Sequence, residues 1–162
     1  MAVDTYLKIA TVDGESKAKG FEKNIEVLAW SWGGSQSGTF HKGSGGAGAG
    51  KANINDLTVT KYMDTASTVL FKSLCEGKHF ADAKLVSRKA GGASPVDFLE
   101  IKLTNVMVTN VSVGGSQGDE LPHENITLNF EKFEVKYTPQ DEKGAKGGAK
   151  EMKWNIAKNA ES

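Results

Sequence analysis

Along most of the chain, apolar and polar residues alternate with the two-residue period of a half-buried β-strand. The pattern starts at once: in VDTYLKIA, Thr5, Leu7 and Ile9 share one face and Tyr6, Lys8 and Ala10 the other. Asn24 to Trp32 (NIEVLAWSW) predicts a second strand. Its bulky side is Leu28, Trp30 and Trp32, expected in the core, and its small side is Val27, Ala29 and Ser31. Lys51 to Met63 alternates Leu57 and Val59 with Thr58 and Thr60. Phe80 to Arg88 and Val96 to Val113 are further β-prone runs, and the polar loop GGSQGDELPHE follows the second.

Two runs change phase. Leu99, Ile101 and Leu103 are in register with each other but not with Val106 and Val108; Ile126, Leu128 and Phe130 are likewise out of step with Phe133, Val135 and Tyr137. A period-2 face changes side only through an extra residue or a strong bend, so bulges are predicted near Thr104–Asn105 and Glu131–Lys132. Long bulged strands suit a curved, barrel-like sheet. One helix is predicted in MDTASTVLFKSLCEGK, with Asp64 or Thr65 as N-cap and Gly77 ending it. Ala66, Val69, Leu70, Leu74 and Cys75 would form its buried stripe. Residues 139–150 form a charged, glycine-rich linker, and residues 151–158, with Met152, Trp154 and Ile156, predict a short closing strand. The expected fold is mainly β: two curved antiparallel sheets forming a barrel, with one helix packed on the side.

At 162 residues the chain suits a single domain with a real core. Twenty basic and twenty acidic residues cancel. That balance argues against a nucleic-acid partner and permits self-association. Cys75 is the only cysteine, so no intramolecular disulfide exists; it is expected as a small buried apolar group. No segment is long and apolar enough to insert in a membrane, and the N-terminus lacks the basic and apolar regions of a signal peptide.

Candidate chemistry is sparse. GGAGAGKA (Gly45 to Ala52) resembles a phosphate-binding loop, with Lys51 directly after Gly50. However, Ala52 stands where a magnesium-ligating hydroxyl is needed, and a strand pattern follows instead of a helix. His41, His79 and His123 lack metal-ligand spacing. Asp119 and Glu120 read as solvated loop charges. No catalytic motif, metal or cofactor is indicated. A loop over residues 35–50 is still long for a compact domain, and such loops are usually disordered or functional.

The order and spacing of several segments identify a resemblance that covers nearly the whole chain. They are AVDTYLKI, GESK (Gly14 to Lys17), VLAWSWG (Val27 to Gly33), QSG (Gln36 to Gly38), the glycine loop before Lys51, TKY (Thr60 to Tyr62), GKHF (Gly77 to Phe80), RKAGG (Arg88 to Gly92), NITLNF (Asn125 to Phe130), YTPQ (Tyr137 to Gln140) and WNI (Trp154 to Ile156). Together they resemble the hemolysin-coregulated protein family, the tube subunits of bacterial type VI secretion. The resemblance implies a homohexameric ring, rings stacked into a tube inside a contractile sheath behind a spike protein, and effector proteins carried in the channel. It implies residence in the bacterial cytoplasm before firing, then secretion without a signal peptide. Val27, Ala29 and Ser31 would line the channel, or else pack under a loop. Gly43, Gly45, Gly46, Gly48, Gly50 and Lys51 would belong to an adaptable assembly loop. Two other classes compete: a monomeric β-sandwich ligand-binding module with exposed Trp30, Trp32 and Trp154, and a nucleotide hydrolase acting through Lys51.

Overall fold

The computed structural model describes residues 2–38, 40, 50–90 and 94–162. Among these residues ten strands and one helix follow in chain order: β1 (Val3–Ile9), β2 (Ile25–Val27), β3 (Ala29–Ser31), β4 (Gly34–Ser35), β5 (Asn53–Ile54), β6 (Leu57–Tyr62), α1 (Thr65–Glu76), β7 (His79–Lys89), β8 (Val96–Gly114), β9 (His123–Tyr137) and β10 (Lys150–Asn155). Eight of these strands form one antiparallel sheet in the order β2-β1-β7-β8-β9-β6-β3, with β10 added on β9; β4 and β5 make a separate two-stranded ribbon. The two ends of that order, β2 and β3, are consecutive in sequence. They are joined at Leu28, whose N–H donates to the Thr60 carbonyl at 2.8 Å. The sheet therefore curls round almost to closure, as the phase changes led us to expect.

The β8–β9 ribbon carries the curl. Before Asn105, β8 pairs with most of β7 and with the C-terminal half of β9, which also holds β10; after it, β8 pairs with the N-terminal half of β9, which leads on to β6 and β3. The expected phase change falls at this boundary but uses a different device. Thr104 pairs with Lys132 and Val106 with Phe130, so register is kept and no residue is inserted. Instead Asn105 turns left-handed (φ 55°), a conformation asparagine tolerates better than most residues. Its side-chain amide bonds the Glu131 carboxylate opposite. The two predicted slips are thus one event seen from both strands. True register shifts lie elsewhere, between Val108 and Asn110 and between Ser87 and Arg88.

Inside, Leu7, Ile9, Leu57, Val59, Leu85, Leu103, Val106, Ile126, Leu128 and Phe133 form one continuous core, against which Trp30, Trp32 and Trp154 pack half-buried. Trp32 meets the Phe133 ring edge-on at 4.9 Å, a favoured aromatic geometry. The closing strand forms as expected: β10 pairs along β9 from Tyr137 to Lys132.

Helix α1 is capped as its sequence predicts. Asp64 accepts from the Ala66 N–H at 2.9 Å and Ser67 Oγ accepts from the Asp64 N–H at 2.9 Å. At the other end Gly77 is left-handed (φ 65°), with Lys78 N–H bonding the Ser73 carbonyl. The buried stripe needs correction. Val69 and Cys75 are exposed, and Ala66, Ser67, Leu70 and Ser73 face inward. Serines can occupy that face because their hydroxyls are satisfied: Ser73 donates to the Val69 carbonyl at 2.7 Å and Ser67 to Glu124 at 2.7 Å.

Candidate functional site

The strand that carries the predicted channel residues does not run straight. Its backbone bends at Leu28, β2 pairs with β1, and β3 pairs with β6. Parity cannot be counted across such a bend. Val27 is therefore in the core and not on the surface, while Leu28, expected inside, is half-exposed. Ala29 and Ser31 do lie exposed on β3.

Around them the sheet presents a wall of small neutral side chains. One cross-strand row runs Ala29, Thr60, Asn125, Ser112; the next runs Ser31, Thr58, Thr127, Asn110. Thr60 Oγ1 donates to Asn125 Oδ1 at 2.7 Å, and the Thr58 and Thr127 hydroxyls meet at 3.3 Å. Asn129 Nδ2 donates to Asp56 at the margin, at 2.8 Å. Cross-strand bonds of this kind contribute a few tenths to about 1 kcal/mol each and fix rotamers. The face is polar enough for water, and its two rows carry no net charge and no deep pocket.

The face across β1, β7, the first half of β8, the second half of β9 and β10 is the opposite. Across β1, β7, β8, β9 and β10 one row reads Lys8, Lys84, Lys102, Glu134, Lys153, and the next reads Tyr6, Val86, Glu100, Lys136, Glu151. Lys84 and Lys136 reach Glu100, Lys136 also reaches Glu151, and Lys153 reaches Glu134, at 3.2–3.9 Å. These exposed pairs add little stability and are screened by salt. Beside them Arg88 binds Asp97 at 2.6 Å and covers the Phe21 ring, which stacks on Tyr6 and so pins the segment after β1 to this face. Burial there pushes the Tyr6 hydroxyl above its ordinary pKa.

One charged cluster lies inside and was not anticipated. Lys61 and Glu124 pair directly across β6 and β9 and are both fully buried. Lys61 Nζ lies 2.7 Å from Glu124, 2.8 Å from Asp64 and donates to Ser67 Oγ at 3.1 Å. The helix N-terminus is thereby tied to the barrel, and its surplus negative charge suits the positive end of the helix dipole. Every polar group in the cluster has a partner, which marks it as architecture.

Of the glycine-loop residues, Gly43, Gly45, Gly46 and Gly48 lie outside the described residues; Gly50 and Lys51 are exposed. Lys51 leads into β5, and the next helix begins only at Thr65, so no helix N-terminus follows Lys51 to receive a phosphate. His79 and His123 sit at strand starts, His123 beside the Tyr62 ring at 4.8 Å. Asp119 closes a turn by accepting from the Ser116 hydroxyl and N–H at 2.9 and 3.1 Å, which holds its carboxyl below the usual range. No group of three or more metal-ligating side chains occurs among the described residues, and no described helix is long and apolar enough to cross a membrane.

The described residues form a nearly closed antiparallel β-barrel with one capped helix and one neutral outer face. Residues 6–137 match the family described as "Type VI secretion system effector, Hcp". Protein hcp1 of Pseudomonas aeruginosa is 50% identical across the whole of both chains. Among solved structures, one of a type six secretion system protein superposes with a TM-score of 0.93 at 34% identity, covering 99% of this chain and 100% of the other. Hcp1 of Salmonella typhimurium gives 0.79 at 34% identity, with full coverage of both chains. The chain belongs to the Hcp family of the type VI secretion system.

Proposed function

We propose that this chain is the tube subunit of a type VI secretion machine. Six copies close into a ring whose channel is lined by the neutral face around Ala29 and Ser31, and rings stack into a tube that carries effector proteins. The observation that carries this reading is the contrast between that face and the charged exterior. Small hydroxyl, amide and methyl groups hold no fixed ligand and repel no cargo by charge, as a channel serving varied proteins requires. The charged side would then face outward, toward the contractile sheath. Ala29 and Ser31 keep this role; Val27 does not.

The sheet edges favour a ring. Among the described residues β3 pairs only with β6, and β8 beyond Met107 pairs only with β9. The neutral face therefore ends in an unpaired edge on either side. Such edges invite strand addition. Joining the β3 edge of one copy to the Thr109–Gly114 edge of the next is a head-to-tail contact, which closes into a ring when the rotation fits. The neutral wall then continues from copy to copy. Export would take the tube from the cytoplasm through the machine, behind its spike protein.

Light scattering coupled to size exclusion tests this directly. The expected mass is six times the 17.3 kDa chain. A species that remains at the mass of one chain across the concentration range would contradict the ring and restore the monomeric binding module.

A further inference from the structure

Asp56 stands at the entry to β6, in phase with Thr58 and Thr60. Its carboxylate reaches across two neighbouring strands. Oδ1 accepts from Asn129 Nδ2 on β9 at 2.8 Å, and Oδ2 accepts from the Thr109 hydroxyl on β8 at 3.3 Å. The preceding residue reaches the other way: Asn55 N–H donates to the Gly33 carbonyl, just past the end of β3, at 2.8 Å. Two consecutive residues therefore span the β3-β6-β9-β8 wall from one free edge to the other.

Thr109 is not an ordinary strand residue. Val108 pairs with Leu128 and Asn110 with Thr127, so Thr109 is the extra residue of a bulge. The bulge follows closely on Met107, where the pairing with β7 stops and the β8 edge becomes free. A bulge bends and twists its strand, and so aims whatever lies beyond it. Ladder bonds do not hold the extra residue. Its hydroxyl does, by sharing one hydrogen between Asp56 and the Thr127 carbonyl, the latter at 3.4 Å.

We infer that Asp56 is an assembly-positioning residue. By pinning the Thr109 bulge it sets the angle between the β3 edge and the Thr109–Gly114 edge, and with that angle the number of copies that close. The inference rests on the ring reading and deepens it. A head-to-tail contact closes only when the rotation per copy fits, and that rotation is fixed by the two edges of one chain. Twist between neighbouring strands ranges over about 10° to 35°, so pairing alone defines the angle loosely. A brace across the whole wall narrows it. Asp56 acts through Thr109 and needs no contact with the neighbouring copy.

Native mass spectrometry of Asp56→Ala, Thr109→Val and Thr109→Ser tests this, with circular dichroism on the same samples. Asp56→Ala and Thr109→Val should keep the β-sheet spectrum and lose uniform closure. The ratio of six-membered to all other species should fall at least about tenfold against the parent protein. Thr109→Ser keeps the hydroxyl and should match the parent. The double variant Asp56→Ala/Thr109→Val should lose no more than Asp56→Ala alone, because both changes remove one brace. A parent-like ratio for either single variant that breaks the brace overturns the positioning role and leaves the ring intact. A lost β-sheet spectrum overturns it as well, since the brace would then serve folding. A parent protein that stays at the mass of one chain contradicts the ring itself, and this role with it.

Discussion

Lys61→Met is expected to lower the stability of the folded chain by about 3–5 kcal/mol, the usual cost of breaking a buried ion pair from one side. The side chain is fully buried, and its nitrogen lies within 2.8 Å of both the Glu124 and the Asp64 carboxylates. Removing it leaves two carboxylates facing an apolar space, one of them in the core. Ser67 also loses a donor, and it can offer its own hydrogen to only one acid. For a chain of this length the loss corresponds to roughly 10 °C in the unfolding midpoint. It should be read at fixed chain concentration, because assembly stabilises the subunit by mass action. The double variant Lys61→Met with Glu124→Leu should recover much of the loss, since apolar replacement of a whole buried pair is often neutral. A midpoint for Lys61→Met within about 2 °C of the parent protein would show that the cluster does not hold helix and barrel together.

The second large effect concerns cargo. Ser31→Glu is expected to make retention depend on cargo charge. The position is exposed and stands on the neutral face, so the subunit fold should tolerate the change with less than about 0.5 kcal/mol of cost. In a ring the carboxylate repeats with every copy around one channel. A cleft lined with one sign of charge focuses its field and reaches several kT, and about 1.4 kcal/mol already means a factor of ten in binding. An acidic effector of the machine should therefore co-elute at least about tenfold less with the variant, whereas a basic effector should be retained as well or better. The parent protein should not sort the two by charge. Equal retention of both by Ser31→Glu rings of normal mass would place the channel elsewhere.

Much of the fold was legible because the periodicity was. Leu7 and Ile9, Leu57 and Val59, and Ile126, Leu128 and Phe130 all fall on the core side as their spacing predicts. Asp64 and Gly77 cap the helix for local reasons that need no tertiary context. Failures came where tertiary structure intervened. The bend at Leu28 hands the chain from one strand partner to another, and nothing in VLAWS announces it; Val27 and Leu28 exchange their expected places as a result. Asn105 achieved by a left-handed turn what an inserted residue was expected to do, because parity reports where a face changes and not how. On the helix, Ser67 and Ser73 took buried positions from Val69 and Cys75, since hydrogen bonding decides whether a serine may be inside.

The candidate site was half legible. Ala29 and Ser31 stood out as small residues opposite two tryptophans. Their neighbours Thr58, Thr60, Asn125 and Thr127 were also present as neutral residues alternating with core positions. What joins them is the β3-β6-β9-β8 pairing, which one sequence does not state. The buried pair left a trace of its own: Lys61 is in phase with Leu57 and Val59, and Glu124 with Ile126 and Leu128. Two opposite charges, each on the core side of its strand, were a sign that the strands would be neighbours.

Electron cryo-microscopy of the purified oligomer tests most directly whether the neutral face lines a closed channel. The predicted result is a six-membered ring in which Ala29, Ser31, Thr58, Thr60, Asn125 and Thr127 face the lumen and Lys84, Glu100 and Lys136 face outward. A ring lined by the charged rows, or an assembly that does not close, would contradict it.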